Sequence, residues 1–149
     1  MVLSGLVALL AWTVTAPAAE SLPGPVGARV LRVLDGDTIE VRANIWLGQE
    51  VATRVRLAGV DAPELKGACR HERILAMRAR AYLAARLATA DGRPAQVSLS
   101  DIRAGKYGGR VLARVHTAGG EDLSHALLAA GLVRPYAGNA RRPWCASAG

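Results

Sequence analysis

Phenylalanine is missing from this chain of 149 residues, and three tryptophans and three tyrosines supply all of its aromatic rings. The core is therefore expected to be aliphatic, in a sequence that is 51% hydrophobic and 21% charged. That balance excludes a disordered polymer, and sixteen glycines and seven prolines without a repeat exclude a collagen-like chain. Cysteine is equally scarce: Cys69 and Cys145 are too few for a disulfide scaffold, and neither belongs to a C-x-x-C pair. His71 and His125 lie at scattered positions without regular ligand spacing, which argues against zinc. The length suits one domain with one core.

Negative charge is in the minority. Twelve Asp and Glu face nineteen Lys and Arg, for a formal charge of +7 and a pI near 10.4. This is the electrostatic footprint of a protein that meets polyanions. Residues 1–19, MVLSGLVALLAWTVTAPAA, carry no charged side chain at all, and Glu20 opens the charged part of the sequence. The apolar run from Val2 to Val14, followed by Ala16-Pro17-Ala18, has the form of a secretory signal without the usual basic residue before its core. A bilayer span needs about 20 apolar residues, and Pro17 arrives sooner. The expected organisation is a signal peptide over 1–19 and a domain over 20–149, exported to the periplasm or medium and free of stable membrane association once processed. Two cysteines in an exported chain pair more readily than they bind metal, so a Cys69–Cys145 disulfide is expected.

Hydrophobic spacing predicts the elements. Ser21 to Ala28 reads as a turn-rich lead. Arg29–Leu34 and Thr38–Arg42 alternate as strands around the turn Asp35-Gly36-Asp37, with Ile39 and Val41 on one face. A turn is expected over Asn44 to Gln49, and then a third strand over Val51–Val60, placing Arg54 and Arg56 on one side. From Glu72 to Ala90 the spacing becomes helical, with a stripe of Leu75, Ala79, Tyr82, Leu83 and Leu87, closed by Gly92 and Pro94. Strands Ala95–Ser100 and Arg110–His116 flank a glycine-bearing turn. A short helix, capped by Asp122 or Ser124, ends at Gly131. The fold class expected is mainly β with helices (α+β): a five-stranded barrel of the oligonucleotide-binding (OB) type, with a helix inserted after strand 3 and a second short helix.

Three segments at strand ends carry the chemistry. Asp35, Asp37 and Thr38 leave one tight turn, offering the oxygen ligands that hard cations such as calcium prefer, although an Asp-Gly turn alone explains the pattern equally well. In Arg56-Leu-Ala-Gly-Val-Asp61-Ala-Pro-Glu64, Asp61 can complete a metal site and Glu64 can hold a water; the same residues can also start a helix. Lys106-Tyr107-Gly108-Gly109-Arg110 offers two cations and a ring, or an ordinary hairpin. Together they supply what phosphodiester hydrolysis requires: a metal, a positioned water, and donors for charge growing on the phosphoryl oxygens. Arginine suits the last role because its planar fork gives two hydrogen bonds to one phosphate.

In this order VLDGDTIEV, RVRLAGVDAPE and KYGGRVLARV, followed by HALLAAGLVRPY, resemble the staphylococcal nuclease (thermonuclease) family of calcium-dependent nucleases, over about Val30 to Tyr136. The resemblance implies an OB barrel that cleaves DNA and RNA and leaves 3′-phosphates; the chain is expected to act as a monomer on DNA or RNA. It implies calcium held by Asp37, Asp61 and the Ala62 carbonyl, with Asp35 and Thr38 in support. Glu64 is implied as the water-activating residue, Arg56 and Arg110 as the phosphate clamp, and Lys106, Tyr107 and Tyr136 as the substrate pocket. The pattern departs from the family in having two glycines before Arg110 rather than one, and Ala62 where threonine is frequent. The competing reading is a non-catalytic nucleic-acid-binding OB module. Tyr82 is assigned to the core, Trp46 to either core or surface, and His71, His116 and His125 to structure or solvent.

Overall fold

Alternation of aliphatic and polar side chains builds the strands of the computed structural model, which describes residues 20–146; the expected signal peptide lies outside them. In β3 (Thr38–Trp46), Ile39, Val41 and Ala43 are buried while Arg42 and Asn44 are exposed. The same pattern runs through β2 (Val26–Val33), β4 (Gln49–Leu57), β6 (Gln96–Ala104) and β7 (Arg110–Thr117). Around the ring, β2 pairs with β3, β3 with β4, β4 with β7, β7 with β6, and β6 with β2. The five strands thus close into a barrel, which removes the free edges an open sheet would present. Among the described residues only the β4–β7 pair is parallel. A two-residue strand, β1 (Ser21–Leu22), adds to β6. The barrel centre is filled by Ile39, Val41, Val55, Leu57, Leu99 and Val115, without an aromatic ring among them.

Helix α1 (Arg70–Arg86) follows the third barrel strand, as expected, and buries Glu72, Ala76, Ala79 and Leu83, with Leu87 just past its end. It begins two residues before the expected start and stops four before the expected end. At its start the Glu72 carboxylate reaches back to the N–H groups of Ala68 and Glu64, both at 3.1 Å, satisfying donors of the loop that leads into the helix. After Arg86 the chain turns away, and Thr89 to Arg93 close their own loop through Gly92 N to Thr89 O and Thr89 Oγ1 to Arg93 O. Helix α2 (Leu123–Ala129) is capped by Asp122, which accepts from His125 N at 3.1 Å. Asp122 also accepts from Arg114 at 2.9 Å.

Other boundaries moved for local reasons. The segment Ser21 to Ala28 contains β1 and the start of β2 rather than only a turn. Strand β3 runs through Asn44 to Trp46, and the hairpin turn narrows to Leu47-Gly48, where Gly48 takes φ 71°. The expected strand Val51–Val60 is split: Ala58 and Gly59, with φ 80° at the glycine, form a turn that resets the alternation before β5 (Val60–Asp61). Beyond α2, β8 (Arg134–Pro135) pairs with β5, Asp61 opposite Arg134. No helix among the described residues is long and apolar enough to cross a membrane.

Cys69, the residue before α1, is joined to Cys145 in the tail across a sequence separation of 76. Closing a loop of this size removes denatured-state entropy worth about 4 kcal/mol in the chain-entropy model. Replacing both cysteines by alanine should therefore lower the unfolding free energy by an amount approaching that figure, read as a shifted urea midpoint. Equal midpoints for oxidised wild type and the double variant would show that the bond adds nothing.

Candidate active site

The turn between β2 and β3 is tied by its own backbone, with Leu34 N donating to Thr38 O at 2.9 Å and Asp37 N to Asp35 Oδ1 at 3.0 Å. Asp35 thus shapes the turn. Asp37 is 6% exposed, and its oxygens accept from Thr38 Oγ1 at 2.9 Å, Ala62 N at 3.1 Å and Arg56 Nη2 at 3.1 Å. Burial pushes the Asp37 carboxyl above its ordinary range against the pull of the Arg56 charge, and the neighbouring Asp35 adds to the push. Gly36 is required here for closeness rather than for a positive φ. A Cβ at this position would stand 2.7 Å from Ala79 Cβ on α1 and 3.0 Å from Ala62 Cβ.

Strand β5 delivers Asp61, which is 3% exposed, and the chain then passes through buried Ala62 and Pro63 to an exposed Glu64. Arg56 sits between the two aspartates, with Nη2 3.1 Å from Asp37 Oδ2 and 3.5 Å from Asp61 Oδ1, and donates to Val60 O at 3.3 Å. Its guanidinium also stands 5.4 Å from the Tyr136 ring centre. On the opposite wall, the loop between β6 and β7 turns through Gly109 at φ 74°, with Gly105 N donating to Arg110 O at 2.9 Å. This loop carries Tyr107, whose ring lies 5.3 Å from the Arg110 guanidinium and 5.8 Å from Lys106 Nζ.

These walls enclose a cleft of about 470 Å³ that brings together Asp35, Asp37, Thr38, Arg56, Ala62, Glu64, Lys106, Tyr107, Arg110 and Tyr136. Asp61 meets it through its contacts to Arg56 and to the tail. Trp46, at the far hairpin, is 75% exposed and stays apart, as do the exposed His71 and His125. His116 lies 3.7 Å from Asp122, outside the cleft.

Sequence reasoning missed the last contributor. Arg141 reaches into the cleft from the tail, donating to Asp61 Oδ1 and Glu64 Oε1, each at 2.6 Å, and to Ala62 O at 3.1 Å. Trp144 Nε1 adds a bond to Asp61 Oδ2 at 3.3 Å and its ring stacks on Arg134 at 3.7 Å. One signal was available. Pairing Cys145 with Cys69, five residues after Glu64, carries the tail to this end of the barrel.

The arrangement can hold a hard cation: buried carboxylate and carbonyl oxygens converge, and a guanidinium already stands among them as a surrogate positive charge. With two further arginines facing the same space, it defines a cleft suited to a phosphorylated polymer at the mouth of an OB barrel. The family model for staphylococcal nuclease homologues matches residues 54–144. The chain belongs to that family, whose matched region runs from β4 to Trp144. No curated protein matches the chain.

The tight approach at Gly36 is directly testable. Gly36→Ala should cost about 1–3 kcal/mol through overpacking, and less on an Ala79→Gly background, both measured by urea unfolding. The same cost on both backgrounds would remove Ala79 as the obstruction.

Proposed function

We propose that this protein is an exported, monomeric, calcium-dependent nuclease that hydrolyses phosphodiester bonds of DNA or RNA and leaves 3′-phosphates. The observation that carries the reading is the convergence on one cleft of Asp37, the Asp61–Glu64 segment, Arg56 and Arg110. Family membership and the net charge of +7 agree with it. Asp37, Asp61 and the Ala62 carbonyl would hold calcium, with Asp35 and Thr38 fixing the turn that presents Asp37. Calcium, when bound there, supplies positive charge next to the scissile phosphate.

Every other role falls to side chains. Glu64 is exposed on the cleft and free of the backbone, so its carboxylate can hold a water and take its proton as the oxygen attacks phosphorus. The bond from phosphorus to the 5′ oxygen breaks, that oxygen takes a proton from solvent water as it leaves, and the phosphate stays on the 3′ side. Arg56, oriented by Asp37 and Val60 O, and Arg110, beside Tyr107, donate to the phosphoryl oxygens as charge grows on them. Lys106, Tyr107 and Tyr136 form the walls against which nucleotide and phosphate rest.

Digestion of single- and double-stranded DNA and RNA provides the test. Cleavage should require calcium and stop with a chelator, and Glu64→Gln should lose roughly 10² to 10⁴ in rate, with substrate binding nearly intact. Undiminished cleavage by that variant would remove Glu64 from the mechanism.

The arginines separate an enzyme from a binding module. Arg56→Lys and Arg110→Lys keep the charge and lose the fork, so each should reduce turnover by about 10², whereas Arg80→Lys, on the exposed side of α1, should change little. Equal responses at all three positions, expressed only as salt-dependent binding, would favour the binding module.

A further inference from the structure

Arg141 belongs to a stretch without regular secondary structure, running from Tyr136 to Cys145, yet its guanidinium makes three contacts with acceptor oxygens. Two of the acceptors, Asp61 Oδ1 and Ala62 O, belong to the proposed calcium set. The third, Glu64 Oε1, belongs to the residue assigned to the water. A guanidinium that spans all three oxygens occupies the space between them, and a divalent cation placed there would be repelled by its charge and would compete with it for the same acceptors. We propose that Arg141 is a built-in competitor for calcium: it neutralises the site in the absence of metal, must withdraw for the ion to bind, and so sets the metal affinity. The inference rests on the reading of Asp37, Asp61 and Ala62 as the calcium site.

The tail is fastened so that this competition is strong. Cys145, four residues after Arg141, is bonded to Cys69, and the Trp144 ring lies on the Arg134 guanidinium at 3.7 Å. Arg134 Nη1 also donates to Pro143 O at 3.1 Å. A group tethered on both sides of a short segment acts at high local concentration without needing high intrinsic affinity. The anchors lie at 134 and at 143–145, whereas the stretch between them is bound into no strand or helix. Arg141 can therefore swing out while Trp144 and the disulfide stay in place. Its positive charge is held firmly while it is docked. Burial would lower its pKa, but the bonds and charges of Glu64 and Asp61 raise it above the ordinary value. The adjacent Arg142 takes no part in the three contacts.

Calorimetric titration of the full-length, oxidised, metal-free protein with calcium tests the proposal without reference to cleavage. An apparent dissociation constant scales inversely with the fraction of protein in the competent state, so Arg141→Gln should tighten calcium binding by about tenfold or more. Arg141→Lys, which keeps one charge but not the three-way fork, should fall between, and Arg142→Gln should match wild type. Hydrogen exchange of the peptide covering 137–142 should rise on calcium addition in wild type. If Arg141→Gln binds calcium with equal or weaker affinity, the competitor role is overturned while the calcium nuclease reading stands. If neither wild type nor any variant binds calcium, both readings fall together.

Discussion

Two carboxylates buried at one mouth of the barrel, Asp37 at 6% and Asp61 at 3% exposure, impose the constraint around which this end of the molecule is arranged. Buried carboxylates left without partners are costly, and they must be protonated, hydrogen-bonded or matched by positive charge. The chain answers with cations from two directions. Arg56 bridges both aspartates from β4, Arg141 reaches Asp61 from the tail, and Thr38 and the Ala62 N–H complete the shell of Asp37. Even so, Asp37 is held above its ordinary pKa, because burial outweighs the pull of Arg56. A mouth with these properties retains a demand for positive charge.

Helix α1 makes such a mouth possible through small residues. Gly36, Ala62 and Ala79 meet where any larger side chain would separate the β2–β3 turn from the helix. Two turns nearer the helix start, the buried carboxylate of Glu72 binds the N–H groups of Glu64 and Ala68, and Gly67 packs so closely on it that a Cβ would lie 2.4 Å from its Cδ. Glu72 therefore fixes the backbone from which Glu64 projects into the cleft, where its carboxylate meets Arg141. Stability of the helix start and placement of the proposed water-holding carboxylate depend on one side chain.

Much of this is legible in the sequence because it is encoded locally. Alternation at Ile39, Val41, Val55 and Leu57 identifies barrel strands, and the three motifs at strand ends converge because strand ends of a small closed barrel cluster at its mouths. Boundaries fail where a glycine decides the turn: Gly48 lets β3 run further than its polar residues suggest, and Gly59 cuts the third strand in two. Gly36 reads as an ordinary turn glycine, whereas its reason lies in Ala79, more than forty residues away, which no local pattern discloses. Arg141 escapes notice for the same cause. In a chain with nineteen basic residues one more arginine carries no signal until tertiary structure places it beside Asp61 and Glu64.

The net charge is positive, whereas four carboxylates gather at one point of the cleft, and the tail helps to offset them. A formal charge of +7 attracts a polyanion to the molecule as a whole, whereas Asp35, Asp37, Asp61 and Glu64 would repel a phosphate at the one place where it must come closest. Without metal, Arg56 and Arg141 offset that repulsion, so the mouth need not be strongly negative toward an approaching strand. With calcium in the proposed site, the ion would supply the share of positive charge that Arg141 carries, and Glu64 would be left to hold water. On that proposal the arginine and the metal would be alternative answers to one electrostatic requirement. Because the tail is tied through Cys145 and Trp144, such an exchange would need only a short segment to move, not the barrel.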